Sequence, residues 1–98
     1  MVRKKVVWTD IAKDEFRQVL EYYFQRNDSS NYSLKIIKET ENLINTLSKS
    51  HFIGRITSNE ITRVIPMKVY LIFYEVNDDY IEIVSFWDNR QDERNIKI

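Results

Sequence analysis

GRITSNEITRVIPMKVYLIFYEVNDDYIEIVSFWDNR, residues 54–90, is the stretch whose reading decides the fold. Within it VYLIFYEV, from Val69 to Val76, is apolar or aromatic on both faces. That is the pattern of a strand with neighbours on each side and packing above and below. It is predicted as the central strand of a three-stranded antiparallel meander, between ITRVI (residues 61–65) and YIEIVSFW (residues 80–87). Pro66 predicts a corner before the central strand. Val76-Asn77-Asp78-Asp79-Tyr80 predicts a hairpin after it, since Asn and Asp hydrogen-bond their own chain and tolerate left-handed backbone.

Upstream of the meander, Lys4 to Trp8 reads as a short strand carrying Val6, Val7 and Trp8. Thr9 then offers a helix N-cap and Asp10 a first-turn acid, and Ile11, Ala12, Phe16, Val19, Leu20, Tyr23 and Phe24 recur at helical spacing. This helix should end near Arg26-Asn27-Asp28. Ser29 or Ser30 can cap a second one, with Tyr32, Ile36, Ile37, Thr40, Leu43, Ile44 and Leu47 on one face and Lys35, Lys38, Glu39, Glu41 and Asn45 opposed. A short polar link between two helices predicts an antiparallel hairpin. The fold class is therefore α+β in the order β-α-α-β-β-β, a helical hairpin packed on a small, mostly antiparallel sheet. Residues 1–98 are read as one domain with a single core.

Composition narrows the function classes. Hydrophobic residues make up 43% of the chain and aromatics 13%, with one Gly and one Pro, which describes a packed fold rather than a disordered segment. Without cysteine there are no disulfides and no thiolate metal sites. No apolar run approaches the roughly 18 to 20 residues that span a bilayer, so a cytoplasmic protein is expected. Lys+Arg and Asp+Glu are both 15, a formal net charge of zero, so nucleic-acid binding by counterion release would have to rest on a local patch.

There is no glycine-rich phosphate loop, nucleophile elbow or metal-spaced His cluster, and no cofactor or metal is expected. The candidates are single side chains. His51, the only histidine, can act as an acid or base or simply sit favourably at a helix C-terminus. Arg55, Arg63 and Arg90 stand near strand ends, where the meander can gather guanidinium groups around a phosphate or an acidic partner. Glu60, Asp88, Asp92 and Glu93 alternate with Arg63, Arg90 and Arg94, a pattern more usual on a solvated surface. Trp87 can pack in the core or serve as a stacking anchor beside Arg90.

With these residues in view, the chain resembles the RelE/ParE toxins of bacterial type II toxin-antitoxin modules. The resemblance lies in a short first strand leading into a helix with Ala12 near its start, in Tyr22-Tyr23, and in Leu47 ahead of Gly54-Arg55. It continues through Arg63, Tyr70 and Tyr74 in RVIPMKVYLIFYEV and an apolar last strand followed by Arg90. It implies a toxin neutralised by an antitoxin whose C-terminal segment wraps it. One branch of the family comprises ribosome-dependent mRNA endoribonucleases, and the other inhibits DNA gyrase. Arg63 matches the strand Arg of both. The nuclease branch adds lysines before that Arg, or a Glu with a terminal His-Tyr. Here Ile56 to Glu60 has no lysine and the last strand ends Phe86-Trp87-Asp88-Asn89, so only Glu60 and His51 remain to move protons beside Arg63. The ParE-like side is preferred, with Arg55, Arg63, Trp87 and Arg90 as target-binding residues. A RelE-like ribonuclease and a small interaction domain with neither activity stay open as alternatives.

Overall fold

A computed structural model describes residues 3–27 and 31–89. The elements are β1 (Lys5–Trp8), α1 (Asp10–Asn27), α2 (Asn31–Lys49), β2 (Arg55–Ile56), β3 (Arg63–Met67), β4 (Tyr70–Val76) and β5 (Tyr80–Asp88). They build a five-stranded mixed sheet in the order β1-β5-β4-β3-β2, in which β1 runs parallel to β5 and every other pair is antiparallel. β4 is the middle strand, as its two apolar faces require. The two helices pack on one face of the sheet, so the architecture is the α+β arrangement expected.

Local chemistry explains most of the boundaries. The Ala12 amide donates to Thr9 Oγ1 at 3.1 Å, which caps α1 and satisfies one of its free amides. The predicted cap of α2 at Ser29 or Ser30 lies outside the described residues. The Asn77 amide donates to the Tyr80 carbonyl at 2.8 Å, closing the β4–β5 hairpin, and the Lys4 ammonium holds the turn through the carbonyls of Asn77 and Asp78.

The core joins Ala12, Ile36 and Leu47 of the helices to Tyr70, Ile72 and Tyr74 of β4 and Ile81, Ile83 and Phe86 of β5. Ile83 and Phe86 are three residues apart, which strict alternation would place on opposite faces. A bulge resolves this: Tyr74 stands opposite Ile83 and Phe73 opposite Ser85, leaving Val84 as the extra residue. Around Phe86 the rings of Phe16, Tyr70 and Trp8 gather at 4.9, 5.1 and 6.4 Å between centroids.

The structure departs from the sequence reading in four places. β2 is an additional strand, and two residues carry no period to read. Pro66 lies inside β3, paired with Leu71, and makes no corner. It is tolerated because β2 pairs only with Arg63 and Val64, so β3 has no partner on that side at Pro66. The β3–β4 turn falls at Lys68, whose φ of 58° is the left-handed conformation expected instead of Asn or Asp in the later turn. Its ammonium pairs with Glu39 Oε1 at 2.9 Å, which raises its pKa through that contact. Lastly, Ile11 (69% exposed) and Phe24 (55% exposed) were assigned to the apolar face of α1 and stand in solvent. Their neighbours Ala12, Phe16, Val19, Leu20 and Tyr23 pack against the core.

Candidate functional site

Two neighbouring residues of β4 organise the end of the sheet where Arg55 and Arg63 lie. Tyr74 is fully buried on the helix-facing side. Its hydroxyl accepts the Gly54 amide at 2.8 Å and donates to the His51 carbonyl at 3.1 Å, gripping the 51–54 loop at both ends. Burial pushes the Tyr74 hydroxyl above its ordinary pKa, against the Gly54 hydrogen bond and the nearby Arg63 charge, so it stays a neutral donor. Gly54 is required by closeness, not by backbone angle. A Cβ there would lie 2.7 Å from Tyr74 Cε1 and hydroxyl and 3.0 Å from the Val64 carbonyl. Gly54→Ala is expected to cost about 1 to 3 kcal/mol by overpacking, read as a lower urea midpoint in circular dichroism.

Glu75 holds the next loop, residues 57–62. Its Oε2 accepts the Thr62 hydroxyl at 2.8 Å. Inside the loop, Asn59 Oδ1 accepts the amides of Ile61 and Thr62, both at 2.8 Å, and the Thr57 hydroxyl donates to the Thr62 carbonyl at 2.8 Å. Glu60 takes a φ of 62° at the tip. Left-handed backbone in a residue without glycine's freedom is tolerated only where surrounding bonds hold it.

The candidates are distributed as follows. Arg63, the first residue of β3, is half-buried. Its Nη1 donates to the Gly54 carbonyl at 2.8 Å and reaches the Phe52 carbonyl at 3.4 Å, while the guanidinium sits 5.0 Å from the Phe52 ring centroid. Arg63 pairs with Tyr74 and Ile56, whereas Arg55 pairs with Val64, which faces Phe73. Alternation therefore sends Arg63 and Arg55 to opposite faces of the sheet. They bracket its edge without meeting in one cluster. Trp87 stands opposite Leu71 and so shares the outer face with Arg55. It is half-buried, and its Nε1 is buried with no partner among the described residues. Arg90 lies outside the described residues, as do Asp92, Glu93 and Arg94.

His51 is only 3% exposed, and its Nε2 lies 3.0 Å from the Ser48 carbonyl in the last turn of α2. A carbonyl only accepts, so Nε2 carries a proton and the ring closes the helix end. Glu60 is exposed at its loop tip, with its amide given to the Thr57 carbonyl at 3.0 Å. Sequence reasoning missed Phe52, exposed on the gripped loop, and Asn59, the organiser of the other loop. Asn59 carried a legible signal, since Asn directly after Thr57-Ser58 is turn chemistry.

Known proteins bear on this arrangement at two levels. The chain is similar in fold to a protein of the "Chromosomal ParDE TA system from P. aeruginosa", at a TM-score of 0.74 and 14% identity, over 90% of this chain and 98% of that one. No curated protein matches it. The family described as "ParE toxin of type II toxin-antitoxin system, parDE" matches residues 6–93, from within β1 through both helices and every later strand. With nearly its whole length accounted for, the chain belongs to the ParE toxin family of type II toxin-antitoxin systems.

Proposed function

We propose that this toxin arrests growth by binding a protein target such as DNA gyrase in the cytoplasm, with Arg55, Arg63, Trp87 and Arg90 as its contact residues, and does not cut RNA. The observation that carries the reading is the placement of His51. RNA cleavage by 2′-OH attack needs an acid and a base at one phosphate. Of the two proton carriers near Arg63 in sequence, His51 is buried and committed to the Ser48 carbonyl, which leaves Glu60 alone on the surface. Losing general acid-base help removes about 10² to 10⁴ in rate. The guanidinium of Arg63 suits a contact role better, because the carbonyls of Gly54 and Phe52 fix it in place before any partner arrives.

Controlled expression in a bacterial host tests the reading. Growth arrest with failed gyrase supercoiling and intact mRNA is expected, and Arg63→Ala should weaken target binding by about 1 to 3 kcal/mol if its contact is buried. Codon-phased mRNA cuts by primer extension, with supercoiling unaffected, would overturn it in favour of a RelE-like ribonuclease.

A further inference from the structure

The loop that joins β2 to β3, residues 57–62, is bound into place by a network of its own polar groups. The Thr57 amide donates to the Thr62 carbonyl at 2.9 Å, and the Glu60 amide to the Thr57 carbonyl at 3.0 Å. Asn59 works from inside. Besides accepting the Ile61 and Thr62 amides at Oδ1, it donates from Nδ2 to Thr62 Oγ1 at 2.9 Å. The Thr62 hydroxyl in turn donates to Glu75 Oε2 and so ties the loop to β4. These bonds hold Glu60 in left-handed backbone, and strain that its surroundings keep in place is a mark of functional segments. What the loop holds out is Ile61, 65% exposed and, after Ile11, the most exposed large apolar side chain among the described residues. It takes no part in the core. An apolar side chain on a fixed loop loses little entropy on binding, as an interface anchor requires.

Thr62 stands between Ile61 and Arg63, so one clamp sets both neighbours. Arg63 keeps donors in reserve: among the described residues its hydrogen bonds run through Nη1 alone, which leaves Nε and Nη2 for an incoming carboxylate. An ion pair in open solvent is worth little, but an apolar anchor beside it excludes water and strengthens it. We propose that Ile61 is the apolar anchor of the target interface, seated in a hydrophobic pocket of the protein target whose rim offers a carboxylate to Arg63, and that Asn59, Thr62 and Glu75 are its positioning residues. The inference rests on the protein-target reading and deepens it, since it names the chemistry of the surface that the toxin meets.

The test measures inhibition of purified DNA gyrase in a supercoiling assay, and growth arrest on controlled expression, for the wild type and for Ile61→Asp, Thr62→Val and Thr62→Ser. Leu34→Asp and Ile11→Asp are controls on exposed helix positions. Ile61→Asp is expected to raise the half-inhibitory concentration at least about 30-fold and the controls less than about threefold, as for anchor and peripheral positions. Thr62→Val keeps the shape of the side chain and loses its hydroxyl, so it should raise that concentration about three- to tenfold. Thr62→Ser retains the hydroxyl and should stay with the wild type, which a purely structural role for Thr62 would not require of potency. Urea denaturation checks that each variant is folded under assay conditions. Ile61→Asp, on a loop outside the core, carries the test if Thr62→Val unfolds. Full potency in Ile61→Asp or in folded Thr62→Val would overturn the proposal, as would helix controls as weak as Ile61→Asp. Where the wild type arrests growth with gyrase and mRNA both unaffected, the growth assay applies the same criteria to another protein target. Failure of the reading itself looks different: codon-phased mRNA cuts, or normal growth, on expression of the wild type would remove it and the proposal together.

Discussion

Phe86→Ala is expected to destabilise the fold by about 3 to 5 kcal/mol, the range for truncating a large buried aromatic side chain. Phe86 is almost wholly enclosed, and its ring meets Phe16 of α1, Tyr70 of β4 and Trp8 of β1. One ring thus joins both central strands to the first helix and to the parallel edge strand. Removing it leaves a cavity bordered by three other rings, which can close only by moving a strand or a helix. Against a total stability of about 5 to 15 kcal/mol, typical of small domains, that is a large share. Urea denaturation followed by tryptophan fluorescence measures it directly, since Trp8 lines the site. A loss below about 1 kcal/mol, well under the range for such truncations, would mean that these rings do not pack as described.

Tyr74→Phe keeps the ring and removes only the hydroxyl, yet a loss of about 2 to 4 kcal/mol is expected. Two buried backbone groups, the Gly54 amide and the His51 carbonyl, are left without their partner, and each unsatisfied group costs about 1 to 3 kcal/mol. The pH dependence gives an independent readout. Folding raises the Tyr74 pKa above its ordinary 10.0, chiefly through burial, so above that pH the unfolded chain gives up the phenolic proton first. Stability is therefore flat with respect to this group below pH 10.0 and falls as pH rises beyond it. Tyr70, pushed up by burial and then by Tyr23, adds a fall of the same sign. In Tyr74→Phe the alkaline fall should be shallower than in the wild type, by denaturant titration across that range. Function should respond as well. The Gly54 carbonyl that holds Arg63 belongs to the loop released by the substitution, so target binding should weaken without any change to Arg63 itself.

Family and layer order were both legible in the linear chain, and for different reasons. VYLIFYEV is apolar on both faces, and only a central strand tolerates that. Thr9 and the spacing from Ala12 to Tyr23 specify a helix locally, through a cap and a 3.6-residue period that need no distant partner. By contrast, the faces of Arg55 and Arg63 depend on which residues of β2 and β3 stand opposite one another, and a shift of one residue would have reversed them. Ile11 and Phe24 obeyed the helical period and still fell outside, because α1 turns only the arc of Ala12, Phe16, Val19, Leu20 and Tyr23 toward the core. Pro66 ended a strand on paper and sits within one in space, since its missing amide costs nothing where no neighbour is present to receive it. His51 shows the same division most plainly. Its identity made it a candidate acid or base, and only its position under Tyr74, against the end of α2, made it part of the frame. Local patterns determined which elements form, while register and burial, which depend on residues far apart in the chain, decided which side chains remained available to a partner.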